Sequence, residues 1–287
     1  MISLETLSRE IDRLQPVSAS LPRLAELMNS PHSNLNDIIQ VIEFDPVLTA
    51  NSIRLANSAY FASSFQVCTV RDAVQKVGVG RILEYSMGSE VMNRMKSPCP
   101  GYGLNESELW EHSLAAATAA TFLHKFTQVP IHPASFTAAL LHDFGKIVIS
   151  RYIDKEILQT IHEYMNNNGT TYVNAETAVL GCNHAQIGGV IARRWKFPDT
   201  LVNSISWHHD PRIEGRADIV LDAVHVCNTV AKTIGIGIGT EEMNMAASAD
   251  AANALGLNPS SLEALCALTK IRLPEVISIY GEQAHGV

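Results

Sequence analysis

Apolar residues recur along this chain at intervals of three and four, the spacing that lines one stripe of an α-helix. The helix boundaries are marked as well. Asp45-Pro46 sets a capping residue before a proline at the first helical position, ahead of Val47, Leu48, Ile53 and Leu55. Thr69 precedes Val70, Ala73, Val74 and Val77, and Gly78 closes that run. Asn105 and Glu108 fit a capping box for a long helix ending near Phe126. Asp154 opens a helix that stops at Asn166-Asn167-Asn168-Gly169, and Pro198 opens one carrying Leu201, Val202 and Ile205 toward Trp207. Strand-like alternation is confined to Ile234-Gly235-Ile236-Gly237-Ile238-Gly239, whose glycines suit a loop better than a strand interior. The pattern predicts an all-α protein.

Two divisions and a tail are expected. Residues 1–103 read as short helices ending in the Pro/Gly-rich linker Lys96–Gly103, residues 104–235 as the main helical bundle, and residues 236–287 as a helical appendix. The 46% hydrophobic and 17% charged composition over 287 residues is that of an ordinary globular chain, which argues against disorder. A net charge of −8 argues against broad attraction to nucleic acid or an anionic membrane, and Arg193, Arg194 and Lys196 read as a solvated helix face. Five cysteines without a CxxC pair exclude a disulfide framework and a thiolate zinc site as first readings. The N-terminus MISLETLSREIDRL is charged and amphipathic rather than a signal peptide, and the longest apolar run, Leu114–Leu123, is too short to span a bilayer. The expectation is a soluble, cytoplasmic protein.

Chemistry concentrates in the second division. Glu108 and His112 are four apart and share a helix face. His142 and Asp143 stand at a helix end, followed by Gly145, read as permitting a turn, and by Lys146, placed to hold an anion as a point charge. His184 opens one helix, and His208-His209 closes the next. Ligands delivered from separate helices suit a site in a bundle core. Mixed imidazole and carboxylate donors suit one or two divalent transition-metal ions, Fe, Mn, Zn or Ni, over Mg or Ca. Such a centre would serve hydrolysis of a phosphomonoester or phosphodiester by a metal-activated water, with Asp143 and Lys146 as the catalytic pair. By contrast, His32, His124, His132, His162 and His285 read as surface or core residues.

These residues carry a resemblance. LHDFGK, with an upstream histidine and a downstream His-His pair, resembles the HD superfamily of metal-dependent phosphohydrolases. IEFDPVLTANSIRLANSAYF, VRDAVQKVGVGRI, WEHS, NHAQIGGVIARRWKFP and WHHDP are similar to the HDOD domain, the HD-related output domain, over residues 15–234. The resemblance implies an HD-like multi-helix bundle with an N-terminal helical subdomain packed against it. It implies a bacterial signal-transduction module that binds a protein or nucleotide ligand. It also implies metal ligation by His112, His142, Asp143, His184, His208 and His209, with Glu108 as a further ligand and Lys146 as the lysine of an HDxGK variant. Asn228 stands where the superfamily's last ligand is an aspartate. No Gly-Tyr-Pro motif follows His209, where the sequence runs HDPRIEGR, and this argues against cyclic-di-GMP cleavage. Arg54, Asn57, Ser58, Tyr60 and Arg71, in the most family-like stretch, read as packing and capping residues, with a binding surface as the alternative for that region.

Overall fold

The computed structural model describes residues 4–61, 66–212, 218–240 and 248–281. His285 and residues 213–216 of the HDPRIEGR run lie outside them. Among the described residues the chain is helical, with no strand and one isolated bridge between Cys99 and Leu104. None of the described helices is long and apolar enough to cross a membrane. All five cysteines are free thiols.

The N-terminal helices are α1 (Leu4–Arg13), α2 (Ser20–Asn29), α3 (Leu35–Glu43), α4 (Pro46–Asn57), α5 (Val70–Val77) and α6 (Val79–Met95). Their starts follow the sequence signals: Asp45 Oδ1 accepts the N–H groups of Val47 and Leu48, and the Thr69 hydroxyl accepts from Asp72 N–H. Asn57 exchanges two hydrogen bonds with the Val67 backbone, Ser58 Oγ bonds Leu55 O, and Arg71 donates to Asn36, so these family-like residues hold local structure.

The bundle centres on α7 (Glu108–Leu123). Ala115, Ala116, Ala117, Ala119 and Ala120 are all buried, and a helix apolar on every side must be surrounded. Its neighbours are α8 (Ala134–Leu141), α14 (Ile219–Thr233) and α16 (Pro259–Gly281), and its alanines admit them closely. Between α8 and α14 run α9 (Lys146–Ile149), α10 (Lys155–Asn168), α11 (Tyr172–Leu180), α12 (His184–Arg194) and α13 (Asp199–Trp207). The short α15 (Ala249–Ala254) packs on α14. The stretch Lys96–Gly103 differs from a solvated linker. It folds into a 3₁₀ turn at Pro100–Tyr102 with Tyr102 fully buried, its ring packed beside Tyr172 and His184.

Candidate metal centre

Three helix ends and two helix faces converge on Asp143. His142 is the C-cap of α8, with Asp143 next in the chain. His184 is the first residue of α12, whose N-terminus is fixed by a capping box between Asn183 and Gln186. His208 caps α13, and His112 and Asn228 project from α7 and α14. Asp143 Oδ2 lies 3.5 Å from His112 Nε2 and 3.3 Å from His142 Nε2. Asp143 Oδ1 lies 3.4 Å from His184 Nε2 and 3.6 Å from His208 Nε2. His209 Nε2 is 2.9 Å from His184 Nε2. Two donor sets result, His112/His142/Asp143 and Asp143/His184/His208/His209, and they share the aspartate. Each carboxylate oxygen faces one set.

The ring orientations decide what these nitrogens can do. Nδ1–H of His112 donates to Ile236 O at 2.8 Å, that of His142 to Ala139 O at 2.7 Å, and that of His208 to Ile205 O at 2.8 Å. His184 Nδ1–H donates to Glu176 Oε2 at 2.8 Å. With Nδ1 carrying the proton, the neutral ring turns an Nε2 lone pair inward, as a metal-binding histidine requires. His142 Nε2, His208 Nε2 and Asp143 Oδ1 are buried with no hydrogen-bond partner among the described residues. His112 Nε2 faces Asn228 Oδ1 at 3.1 Å, two lone-pair atoms that repel unless the amide is turned or a cation serves both. Donors about 2.1 Å from one ion stand roughly 3.0–3.4 Å apart in octahedral or tetrahedral coordination, near the separations found here. The residues therefore fit a transition-metal ion, and the pair of donor sets fits two.

The electrostatics agree. Burial raises the Asp143 carboxyl, but His142 and Lys146 outweigh it and hold the group well below its ordinary range. Burial pushes His112 down to about 4 and His208 to about 3 despite Asp143, and His209 also falls well below normal. His184 goes the other way: Glu176 and Asp143 overcome its burial and raise it to about 9. In the metal-free protein Asp143 and Glu176 are thus balanced by Lys146 and a protonated His184.

The structure does not bring every expected residue to the cluster. The Glu108 carboxylate folds back to accept Asn105 N–H at 2.7 Å, so it serves the start of α7 and is outside both donor sets. Gly145 has an ordinary helical φ of −62°, so it is not needed for a turn. It is needed for close approach, since a Cβ there would stand 2.0 Å from His184 O. Lys146 is buried and donates to Asp143 Oδ2 at 2.7 Å rather than facing an open cleft. Asn228 does face the cluster through His112.

Two residues escaped sequence reasoning. Glu176 is fully buried and anchors His184, and the Tyr102 hydroxyl donates to Glu176 while its ring lies 5.3 Å from Lys146 Nζ. The one available signal was an acid within α11, eight residues before His184.

Comparison with known proteins shows which chains share this fold. The chain is similar to the crystal structure of a putative signal transduction protein from Marinobacter aquaeolei, with a TM-score of 0.74 at 20% identity, covering 98% of this chain and 65% of that one. It is similar to an HDOD domain protein of unknown function from Geobacter sulfurreducens, TM-score 0.68 at 24% identity over 96% and 97% of the two chains. A putative phosphohydrolase from Shewanella amazonensis aligns with a TM-score of 0.65 at 22% identity over 96% and 97%. An uncharacterised protein of Treponema pallidum is 24% identical over 208 residues, 71% of this chain and 39% of that protein. The chain therefore spans less than half of that curated relative. The HDOD domain family model matches residues 14–211, more than half of the sequence, and with the all-α bundle around Asp143 this chain belongs to the HDOD domain family.

Proposed function

We propose that this chain is a cytoplasmic regulatory module of the HDOD type, which holds one or two ions of Fe, Mn, Zn or Ni in its bundle core and acts by binding a protein or nucleotide partner. The observation that carries this reading is the burial of the donor set, of which His209 alone is partly exposed. His142, His184 and His208 are 0% exposed, Asp143 1% and Lys146 2%. A catalytic metal site keeps an open position for water and substrate, whereas a structural or sensing site is closed. Lys146 is engaged by Asp143 instead of presenting its ammonium to a ligand. Asn228 supplies a neutral amide where a carboxylate would add charge.

His112, His142, Asp143, His184, His208 and His209 would hold the metal, with Glu176 orienting His184 from behind. A second reading, a metal-dependent phosphohydrolase, is favoured by the shared Asp143, whose two oxygens face separate donor sets as in two-metal sites. When bound, such ions acidify a coordinated water and polarise a phosphoryl oxygen. In that reading Lys146 fixes the Asp143 carboxylate and steadies charge beside it.

The test combines metal analysis after anaerobic purification with an assay on bis(p-nitrophenyl) phosphate. The expected result is metal retained by the wild type, lost in Asp143→Asn, and no turnover in either. Turnover in the wild type that disappears in Asp143→Asn would establish the phosphohydrolase. Protein that takes up none of the four metals would remove both readings.

A further inference from the structure

The corner after α13 carries two of the histidines, His208 and His209, and they are held differently. His112, His142, His184 and His208 each have an acceptor that takes Nδ1–H and orients the ring. Among the described residues the His209 ring nitrogens meet His184 Nε2 and no orienting acceptor. The place of His209 is therefore set by the backbone on either side of it, and that backbone is fastened to α14 at both ends. Before His209, His208 O accepts Nδ1–H of His225 at 2.8 Å. After it, Arg212 grips Asp222, with Nη1 on Oδ1 at 2.6 Å and Nη2 on Oδ2 at 3.1 Å. Two parallel bonds of this kind fix direction as well as distance. Between the fastenings Asp210 N–H closes a turn on Trp207 O at 2.8 Å. Asp222 and His225 are three residues apart on one face of α14, and Asn228, three further along, faces His112.

The same two side chains reach a third element. His225 Nε2 accepts Ser248 N–H at 2.9 Å. With that nitrogen accepting, the proton lies on Nδ1, so one neutral ring serves both bonds. Arg212 Nη2 also donates to Asp250 O at 2.9 Å. Ser248 is the N-cap of α15, and its hydroxyl accepts Ala251 N–H. Ala251 and Leu255 seat that helix, and both are fully buried. The corner that presents His209 and the start of α15 are thus tied by two separate bridges across α14.

We propose that His225 and Arg212 are positioning residues of the metal centre: they clamp the corner so that His209 meets His184, and through Ser248 and Asp250 they make filling of that donor set and docking of α15 one linked event. The inference rests on the metal reading above. Linkage is reciprocal, so whatever the docked α15 adds to metal affinity, the metal returns to α15.

The test uses the full chain and whichever of Fe(II), Mn(II), Zn(II) and Ni(II) the wild type takes up most tightly. Chelator competition reads metal affinity, and hydrogen exchange reads the protection of α15. His225→Asn places its amide near the position of Nδ1, so it keeps a donor for His208 O and loses the acceptor for Ser248. His225→Gln places its amide near Nε2 and does the reverse. The Gln variant should bind metal roughly 10–100-fold more weakly, and the Asn variant should lose less. Asp222→Asn keeps the shape but breaks the paired grip of Arg212, and should also weaken metal binding. In the wild type, metal should slow exchange of the amides of residues 251–255 several-fold, and this gain should vanish in His225→Asn. A merely structural role would lower both His225 variants alike. The proposal is overturned if the Asn and Gln variants bind metal equally, if Asp222→Asn binds it as the wild type does, or if metal leaves α15 exchange unchanged in the wild type. Wild-type protein that takes up no metal overturns this inference together with the reading beneath it, whereas each of the other results overturns it alone.

Discussion

Lys146 Nζ stands 2.7 Å from Asp143 Oδ2, one helical turn along the chain, with both side chains sealed from solvent. The ammonium holds one oxygen of the carboxylate on which both donor sets depend. Removing one partner of a buried pair leaves an uncompensated charge, at a cost of about 3–5 kcal/mol. Lys146→Met should therefore lower the unfolding free energy of chelator-treated protein by several kcal/mol in urea. Metal should restore much of that loss, because a cation on Asp143 replaces the missing charge. An equal loss with and without metal would mean that Asp143 and the ion do not meet.

Glu176 fixes the tautomer of His184 from behind and is itself held by Tyr102. Partners of this kind tune ligand basicity, and their loss lowers metal affinity by roughly 10–100-fold. Glu176→Gln keeps the shape and removes the charge, so chelator competition should show weaker binding within that range. Tyr102→Phe should show a smaller effect of the same sign, since Glu176 keeps its bond to His184.

Much of this architecture was legible from the sequence, for identifiable reasons. Asp45, Thr69 and Asp154 are local signals, and each caps a helix through its own side chain. The ligands at helix ends were legible because His184 falls where α12 begins and the His-His pair where α13 ends. Glu108 misled because a first-turn carboxylate serves its own backbone as readily as a metal. Tyr102 and Glu176 were hidden because their roles arise across 74 residues of separation, which no local pattern records. The loop at Ile236 was correctly expected to be irregular, but not that its carbonyl would orient His112.

The metal-free protein should be most stable near pH 6.5. His112 and His208 have folded values of about 4 and 3, below the ordinary 6.5, so between pH 6.5 and 4 the unfolded chain binds more protons and stability falls as pH falls. His184 has a folded value of about 9, so its contribution is complete below pH 6.5 and is lost as pH rises through 9. Melting temperature against pH should peak between these limbs. Bound metal takes the place of the His184 proton, so the decline above pH 6.5 should vanish in metal-loaded protein. A decline that persists with metal would show that His184 is not a ligand.

Asn228 lies beside His112 Nε2 and is 5% exposed, so Asn228→Asp tests both the site and its limits. Without metal, a second buried carboxylate near Asp143 adds like charge in a low-dielectric core, and the melting temperature should fall. With metal the same oxygen becomes an anionic ligand, and affinity should rise by about tenfold or more. The sign of the effect should therefore reverse on adding metal, which no purely structural role for this side chain predicts. Phosphodiester turnover that appears in Asn228→Asp but not in the wild type would identify the neutral amide as what keeps this centre from catalysis. A variant that binds metal more weakly would place Asn228 outside the coordination sphere and leave His112 as the last ligand on that side.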